Sequence, residues 1–448
     1  MQDSDNNTDS SCFSPPPSSS SSSSDLHDRI AQILTGPPQT IYFRDVHQIV
    51  TLLREACEPF HNTLSQVPVR EMDISTRRFG DFGGRYAPEL QMEALSELGN
   101  QFRDAICDPD FWRQFVGCGF VDKTPLTLAT KLTEHGGGAN IWLKREDTNL
   151  YASHKIRNIV GQVLLAKRMG KSEIIIDCGF AGHGLVCASL CQKLGLKCTV
   201  FMGIFDGEAQ EKDVFAMRQR GASVLFSENG LGCYTVRAAL DDAHRHAISN
   251  FEDGFYIASG PIGPHPLPLI HRFFQSLLGE ETKDQCVEAI GSAPDAVVAP
   301  VGMGSGAVGM FTPFIDAPDV RLVGVQPARA APLTSGSVGV LYGACTYLLQ
   351  DDNGQILDSH SYAEDLASPT VGPELAHWKD DTKAEFVEAA DTEATDGMTR
   401  MRVLEDFTPS FATAYAVDKT LKVARELGQG KNVVLLVAGE FNPLVEVV

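Results

Sequence analysis

Two neighbouring residues, His154 and Lys155, stand where the chain could present a reactive amine. They precede an apolar stretch with helical spacing, so Lys155 begins a helix that is otherwise buried. A lysine at a helix start is either a solvated charge or, beside an anion site, an amine that forms a Schiff base with a carbonyl compound. Spacing alone leaves both interpretations open.

A glycine-rich loop that follows a strand could hold an anion. Its N–H groups could approach a phosphate closely, because three of its five residues carry no side chain. The loop is not a P-loop, since no Gly-Lys-Ser/Thr follows, and it lacks the GxGxxG spacing of a dinucleotide site. A phosphate cradle and a simple tight turn are both compatible with this pattern. The loop consists of Gly302, Met303, Gly304, Ser305 and Gly306.

A second glycine-rich loop could bind a carboxylate through its N–H groups. Asp177 ends the strand before this loop and is either a turn-capping residue or an acid or base at a reacting centre. The histidine within the loop is likewise either structural or part of a site. The loop consists of Gly179, Phe180, Ala181, Gly182 and His183.

Alternating strands and helices must position these segments from Arg77 onward. Short, continuous apolar strands between helices are typical of a parallel sheet that is covered on both faces. The pattern predicts an α/β fold with two doubly wound sheets, whose ligands lie beyond the carboxyl ends of strands. The predicted strands are 140–144, 173–177, 198–202, 295–301, 320–325 and 433–437, with helices at 156–169 and 184–194.

Composition excludes several classes of function. The chain has 448 residues and a formal net charge of -21, which disfavours binding to nucleic acid or to an anionic membrane. No apolar run reaches the length of a membrane span, so we expect a cytosolic protein. The 11 cysteines include no CxxC pair, which predicts buried free thiols and no metal site.

The N-terminal region differs from the rest of the chain in composition and in predicted structure. Residues 1–25 are rich in serine and proline and are predicted to form a disordered tail without a secretory signal. Residues 26–75 are predicted to form a helical extension, because apolar residues between Val46 and Ala56 recur at helical spacing.

Ordered motifs from Arg78 to the C-terminus resemble the tryptophan synthase β-subunit family. They lie at 78–80, 83–89, 124–126, 143–149, 154–156, 164–171, 263–266 and 346–351. The resemblance implies a fold type II pyridoxal 5'-phosphate (PLP) enzyme, with two doubly wound α/β domains and the cofactor between them. Residues 76–118 plus 273–448 would form the C-terminal-type domain. Residues 119–272 would form the N-terminal-type domain, which includes the mobile subdomain that closes on substrate.

The same resemblance implies a role for each site segment. Lys155 would carry PLP as a Schiff base beside His154, residues 302–306 would hold the phosphate, and residues 179–183 would hold the substrate carboxylate. Asp177 stands at the position of the catalytic glutamate, and Glu405 falls on a family glutamate near the cofactor. The family joins L-serine and indole through an aminoacrylate and pairs its β chains as homodimers.

This sequence departs from the family within the site. Asp177 is one methylene shorter than the family glutamate, and Phe180 together with a lost glutamine reshapes the substrate pocket. Ala438 replaces the serine that meets the pyridine nitrogen, so Glu440 or a water would have to substitute. Gly306 replaces an asparagine of the phosphate loop, and Ala367 replaces an aspartate that gates the closed state.

These departures predict a divergent PLP-dependent lyase. It would catalyse β-elimination or β-replacement on an L-serine-like amino acid with an altered substrate or nucleophile, as in secondary metabolism, and would act without an α-subunit. Two alternatives stay open from the sequence: a genuine tryptophan synthase β chain, and a non-catalytic binding protein with a PLP-enzyme fold.

Overall fold

The computed structural model describes residues 40–42, 71–73, 77–179, 181–228 and 236–439. The strands in these ranges are β1 (Thr40–Tyr42), β2 (Glu71–Asp73), β3 (Arg78–Phe79), β4 (Phe82–Gly83), β5 (Leu126–Leu128), β6 (Asn140–Arg145), β7 (Glu173–Cys178), β8 (Lys197–Gly203), β9 (Ser223–Ser227), β10 (Gly254–Ile257), β11 (Ala296–Pro300), β12 (Arg321–Pro327), β13 (Ser337–Leu341), β14 (Ala344–Leu348), β15 (Glu385–Ala389) and β16 (Asn432–Val437).

Helices separate most of these strands. The α-helices are α1 (Glu89–Ile106), α2 (Pro109–Gly117), α3 (Thr130–Gly136), α4 (Ile156–Arg168), α5 (Ala181–Leu194), α6 (Ile204–Ala209), α7 (Glu211–Gln219), α8 (Val236–Ser249), α9 (Leu267–Ile290), α10 (Ser305–Phe311), α11 (Pro332–Ser335), α12 (Pro373–Asp380), α13 (Asp391–Glu405) and α14 (Phe411–Leu427). Short 3-10 helices lie at Glu146–Thr148, Leu150–Ala152, Thr312–Phe314 and Glu364–Leu366.

The larger sheet has the strand order β15-β12-β11-β16-β6-β5. All its neighbouring strands are parallel except β5, which pairs with β6 in the antiparallel direction. Every residue of β11 and β16 is buried, as expected for parallel strands with helices on both faces. These strands are the continuous Val, Leu and Ala runs that the sequence analysis identified.

The smaller sheet has the order β10-β7-β8-β9 and is parallel throughout. One of its faces shares a hydrophobic core with α1, α2, α4 and the first half of α9. A third sheet, β13-β14-β4-β3, is antiparallel. The two parallel sheets confirm the predicted α/β architecture.

Both parallel sheets interact with segments from both of the predicted domain ranges, and the boundaries themselves stay a prediction. Residues 119–272 were expected to form one domain, but β5 and β6 lie in the larger sheet beside β16. Residues 76–118 were expected in the other domain, but α1 and α2 pack on the core of the smaller sheet. The reason is that neighbours in a parallel sheet need not be neighbours along the chain, so a linear division cuts across both cores.

Only two short strands of the predicted helical extension are described, so the extension stays a prediction. Within residues 26–75, β1 and β2 form an antiparallel pair that joins Thr40 to Asp73. Thr40, Ile41 and Tyr42 are β-branched or aromatic, and such residues favour strands. The helix expected around Val46 to Ala56, and the tail at 1–25, lie outside the described residues.

The carboxyl ends of four strands carry the segments that the sequence analysis singled out. Asp177 and Gly179 lie at the end of β7, and the 302–306 loop follows β11. The chain continues from β6 to Lys155, and Ala438 directly follows β16. No helix in the described ranges is both long and apolar enough to cross a bilayer.

A buried cluster of four charged side chains joins β6, α4 and α9. Glu281 accepts hydrogen bonds from Lys144 Nζ at 2.6 Å and from Arg157 Nη2 at 3.0 Å, and Arg157 Nη1 donates to Glu146 at 2.7 Å. Each of these side chains is at most 1% exposed. Burial alone would lower the pKa of Arg157, but the carboxylates of Glu146 and Glu281 raise it above its ordinary value.

Replacing Glu281 with glutamine should destabilise the protein strongly. The substitution leaves Lys144 and part of Arg157 buried without a counter-charge, which costs about 3–5 kcal/mol of unfolding free energy. Urea-induced unfolding measures this loss. Asp316→Asn is the matched control, because it breaks the exposed Lys383–Asp316 pair and should cost less than about 1 kcal/mol. Equal effects of the two substitutions would refute a special role for the buried cluster.

Candidate active site

Lys155 stands directly before α4 in a tightly turned segment. Tyr151 and Ala152 both adopt left-handed backbone angles, with φ values of 62° and 49°. The backbone N–H of Lys155 donates to Ser153 Oγ at 3.4 Å, and the side chain is buried. The tight turn thus brings the amine inward at the helix start, which excludes the interpretation of Lys155 as a solvated surface charge.

His154 anchors this segment to the larger sheet. Its ring Nδ1 lies 3.0 Å from the carbonyl oxygen of Ala438, and Gln275 Nε2 donates to the His154 carbonyl at 2.7 Å. Burial, together with the charge of Lys155, lowers the pKa of His154 to about 4. The imidazole is therefore neutral at physiological pH, and its Nδ1–H donates to Ala438.

The 302–306 loop forms a cradle in which positions 302 and 304 require glycine. A Cβ on Gly302 would lie 2.5 Å from the carbonyl oxygen of Asp365, and Gly304 has a φ of +103°. The loop continues directly into α10, so its backbone N–H groups are presented at a helix start. These features favour the phosphate cradle over a simple tight turn.

A buried histidine missed by the sequence analysis supports this cradle. His271, on α9, lies 2.8 Å from Ser305 through its Nε2, while its Nδ1 has no partner among the described residues. Burial, then the charge of Lys155, lowers the pKa of His271 well below its ordinary value. No local signal marks His271 in the sequence, since the surrounding helix is apolar and only the tertiary fold brings it to the loop.

One cavity contains both the lysine and the cradle. Asp365, also missed by the sequence analysis, contributes a carboxylate to its wall and raises the pKa of His154 against the effect of burial. The lining residues are His154, Lys155, Ser259, Pro300, Gly302, Met303, Gly304, Ser305, Gly306, Asp365, Leu366, Ala412, Leu436 and Ala438. The structure thus unites the predicted lysine and the predicted anion loop.

The second glycine-rich loop leads into α5. The carbonyl oxygen of Gly179 accepts a hydrogen bond from Gln210 Nε2 at 2.7 Å. His183 is buried, and neither of its ring nitrogens has a partner in the described part of the chain. Burial, then the charges of Lys155 and His271, lowers the pKa of His183. Phe180 lies outside the described residues, and only the backbone of Ala181 is described.

Asp177 is fully buried and held from three directions. Its Oδ1 accepts from the Tyr256 hydroxyl at 2.7 Å and from the Ser259 backbone N–H at 3.2 Å, while its Oδ2 accepts from the Ser259 hydroxyl. Burial, then Asp177, raises the pKa of Tyr256, so the phenol stays protonated and donates. Ser259 lines the Lys155 cavity, whereas Asp177 stands behind it and is absent from the wall formed by described residues.

Two carboxyl groups meet beside the 179–183 loop. Asp206 on α6 interacts with Glu364, whose Cβ lies 3.7 Å from where a Cβ on Gly179 would stand. Burial, then the charge of Glu364, raises the pKa of Asp206. Burial also raises the pKa of Glu364 to about 7, with a further contribution from Asp365. The pair links the smaller sheet to the segment that contains Asp365.

Glu405 does not reach this cavity, so its predicted cofactor role is not supported. Its carboxylate accepts from the backbone N–H of Leu132 at 2.7 Å, at the start of α3. The chain turns at Asp406, where φ is 60°, and Ser410 then donates from its N–H to the Gly439 carbonyl at 3.0 Å, while Ala412 lines the cavity. The physical reason is the turn between α13 and α14, which separates Glu405 from the residues that follow it.

The remaining departures are located as follows. Ala438 lines the cavity and donates from its N–H to Thr413 Oγ1 at 3.0 Å. Ala367 follows the 3-10 helix that contains Asp365, and Glu440 lies outside the described residues.

The residues present fit a phosphorylated aldehyde cofactor. The cradle leaves no room for side chains at Gly302, and the buried amine of Lys155 shares its cavity. The unpartnered Nδ1 of His271 is a buried donor or acceptor without a partner among the described residues, as a polar ligand would require.

Comparisons with known proteins agree with this site. A family model described as pyridoxal-phosphate dependent enzyme matches residues 119–439. Tryptophan synthase of Saccharomyces cerevisiae is 43% identical over 373 residues, which cover 81% of this chain and 52% of that protein. The chain thus spans about half the length of this relative.

The Glu364 side chain should make stability depend on pH near neutrality. Its folded pKa is raised, so its contribution to stability is complete below its ordinary value and is lost as pH rises through about 7. One proton can change unfolding free energy by at most about 1.4 kcal/mol per pH unit. Glu364→Gln should flatten this decline in stability. Thermal unfolding at a series of pH values, from the ordinary pKa of glutamate up to about 7, measures the change.

Glu134→Gln, an exposed substitution on α3, serves as the control and should keep the wild-type profile. Identical profiles for wild type and Glu364→Gln would show that this carboxyl group does not titrate there.

Proposed function

Because the chain belongs to the pyridoxal-phosphate dependent enzymes, we propose that it catalyses β-elimination or β-replacement on an L-serine-like amino acid. The observation that carries this proposal is the single cavity shared by Lys155 and the 302–306 cradle. A non-catalytic binding protein has no need of a buried amine beside an anion cradle, so that alternative is disfavoured.

The cofactor, when bound, supplies an electron sink that allows the Cα–H bond of an amino acid to break. The cradle, with Ser305 and His271 behind it, would hold the phosphate. Lys155 would hold the cofactor and then take the proton from Cα, since its amine is the base within the cavity. The imidazoles of His154, His183 and His271 lie nearby and are neutral. None of them therefore adds a positive charge that would compete with Lys155 for an anionic group.

The loop at the start of α5 would bind the substrate carboxylate. The first-turn N–H groups of this 14-residue helix could donate to an anion, and His183 adds a buried ring whose two nitrogens have no partner among the described residues. The Glu364 member of the Asp206–Glu364 carboxyl pair packs beside the Gly179 end of this loop. Together these contacts would orient the amino acid and exclude water.

The position of Asp177 supports an altered substrate or nucleophile. An acid or base must lie within hydrogen-bond reach of the proton that it transfers. Ser259 stands between the Asp177 carboxylate and the cavity, so the proton would pass through the Ser259 hydroxyl. This arrangement differs from a glutamate that reaches the reacting atoms itself.

A genuine tryptophan synthase β chain is the second candidate. It is favoured by the 43% identity to a relative with the name tryptophan synthase. The two candidates are separated by giving the purified holoenzyme L-serine with indole, and then with thiol, amine and phenol nucleophiles. Brisk formation of tryptophan, in preference to the other products, would favour the second candidate over the first. Homodimer formation, independence from an α-subunit and a cytosolic location stay predictions.

Lys155→Ala should abolish covalent attachment of the cofactor. Borohydride reduction of the wild-type holoenzyme followed by peptide mass spectrometry should find the pyridoxyl group on the Lys155 peptide. Lys167→Ala, an exposed substitution on the same helix, should retain the label. A label on any other lysine, or none in the wild type, would contradict the proposed function as a whole.

Asp177→Asn should lower kcat by about 10²–10⁴ if the carboxylate transfers a proton. The absorbance of the bound cofactor should stay unchanged, because Asp177 does not line the Lys155 cavity. Ser259→Ala should share the loss, since it removes the intervening hydroxyl, whereas Tyr256→Phe should retain more activity. Wild-type turnover in Asp177→Asn would show that the carboxylate is only structural.

A further inference from the structure

Three cysteine side chains converge inside the core of the smaller sheet. Cys187 and Cys191 lie four residues apart on α5 and so share one face of the helix, and Cys198 lies on β8. Their three Sγ atoms all lie within 4.8 Å of one another, and those of Cys187 and Cys198 are 3.8 Å apart. None of the three lines the Lys155 cavity.

We propose that Cys187, Cys191 and Cys198 form a three-sulfur binding site for the soft monovalent cation Cu(I). Three sulfur atoms around a cation at about 2.3 Å would stand roughly 4 Å apart, which matches the observed spacing. The site therefore needs only small side-chain adjustments to close on an ion.

The donor set favours Cu(I) over Zn²⁺. Thiolate sulfur is a soft ligand, and Cu(I) is a soft cation that such ligands bind. Cu(I) also accepts a coordination number as low as three. Structural Zn²⁺ sites are almost always four-coordinate, whereas the cluster within the described ranges has three members and no histidine or carboxylate.

Buried cysteines often serve simply as small apolar residues. Here the three thiols also contact one another. Such a cluster of sulfur atoms in the core indicates a role in addition to apolar packing. The metal-binding form of cysteine is the thiolate, so each ligand must lose its proton when the ion binds.

Binding would be a simple exchange of protons for the ion. Each thiol that becomes a ligand releases its proton, and no electron moves when the metal is supplied as Cu(I). Each of the three residues is at most 4% exposed, so the ion would enter during folding or local opening. The bound ion would connect α5 to β8 and so stabilise the helix whose first turn carries Gly182 and His183.

The test is metal analysis of the full-length holoenzyme. Protein would be produced in copper-supplemented cells, purified without oxygen, and analysed for copper, zinc and free thiols. We expect one copper per chain, with an X-ray absorption shell of sulfur only at about 2.3 Å. The thermal unfolding midpoint should rise with Cu(I) loading and fall when a Cu(I) chelator removes the ion.

Variants separate this site from adventitious thiol binding. Cys191→Ser should lose the copper, and Cys191→Ala provides the same test if serine impairs folding. Cys286→Ser is the matched control, because Cys286 is a buried free thiol in a different core and should retain one copper. Retained PLP absorbance would show that each variant is folded.

Three results would overturn the proposal. One is copper that stays in Cys191→Ser, and another is zinc bound in preference to copper. The third is a Cys187–Cys198 disulfide in the protein as purified. Each result is independent of enzyme activity, so failure here leaves the proposed function untouched.

Discussion

The placement of the candidate site depends on the buried ion cluster centred on Glu281. Its carboxylate ties Lys144 at the end of β6 and Arg157 in the first turn of α4 to the long helix α9. Lys155 stands two residues before Arg157, so the position of its amine is fixed by this cluster. Removing one partner from such a cluster is costly, because the remaining charge stays buried without compensation.

Helix α9 extends this constraint to the rest of the site. Its first half packs in the core of the smaller sheet, and its second half contributes Leu278 and Cys286 to the core of the larger one. On the way it presents His271 to Ser305 and Gln275 to the carbonyl of His154. One rigid helix therefore holds the lysine segment and the anion cradle in register.

The sequence was sufficient for features that depend on local pattern. Apolar strands such as β7 and β16, the lysine at the start of α4 and both glycine-rich loops follow from residue type and order alone. Features that depend on tertiary contacts were beyond it. Tyr256 and Ser259 become visible only when β10 pairs with β7, and the absence of CxxC spacing concealed three thiols that α5 and β8 bring together.

Glu405 shows a different limit, because the match of a glutamate to a family position ignored chain geometry. The left-handed turn at Asp406 redirects the chain, so Ala412 reaches the site while Glu405 caps α3. The assignment of strands to sheets shows a related limit. A parallel sheet takes its strands from distant parts of the sequence, so β6 lies beside β16 although almost three hundred residues separate them.

The departures from the family pattern are supported by their surroundings, which argues for a rebuilt site and against an eroded one. Glycine at position 306 suits the packing, because a Cβ there would lie 2.7 Å from Leu436 Cδ2 and would require the Leu436 side chain to shift. The shorter carboxylate at 177 is met by three donors, two of them from Ser259. An abandoned site would instead be expected to collect unsupported buried groups, each at a cost of about 1–3 kcal/mol. Several buried polar atoms of the described residues do lack partners, and among them the ring nitrogens of His183 and His271 are those to which a substrate carboxylate and a phosphate would supply partners.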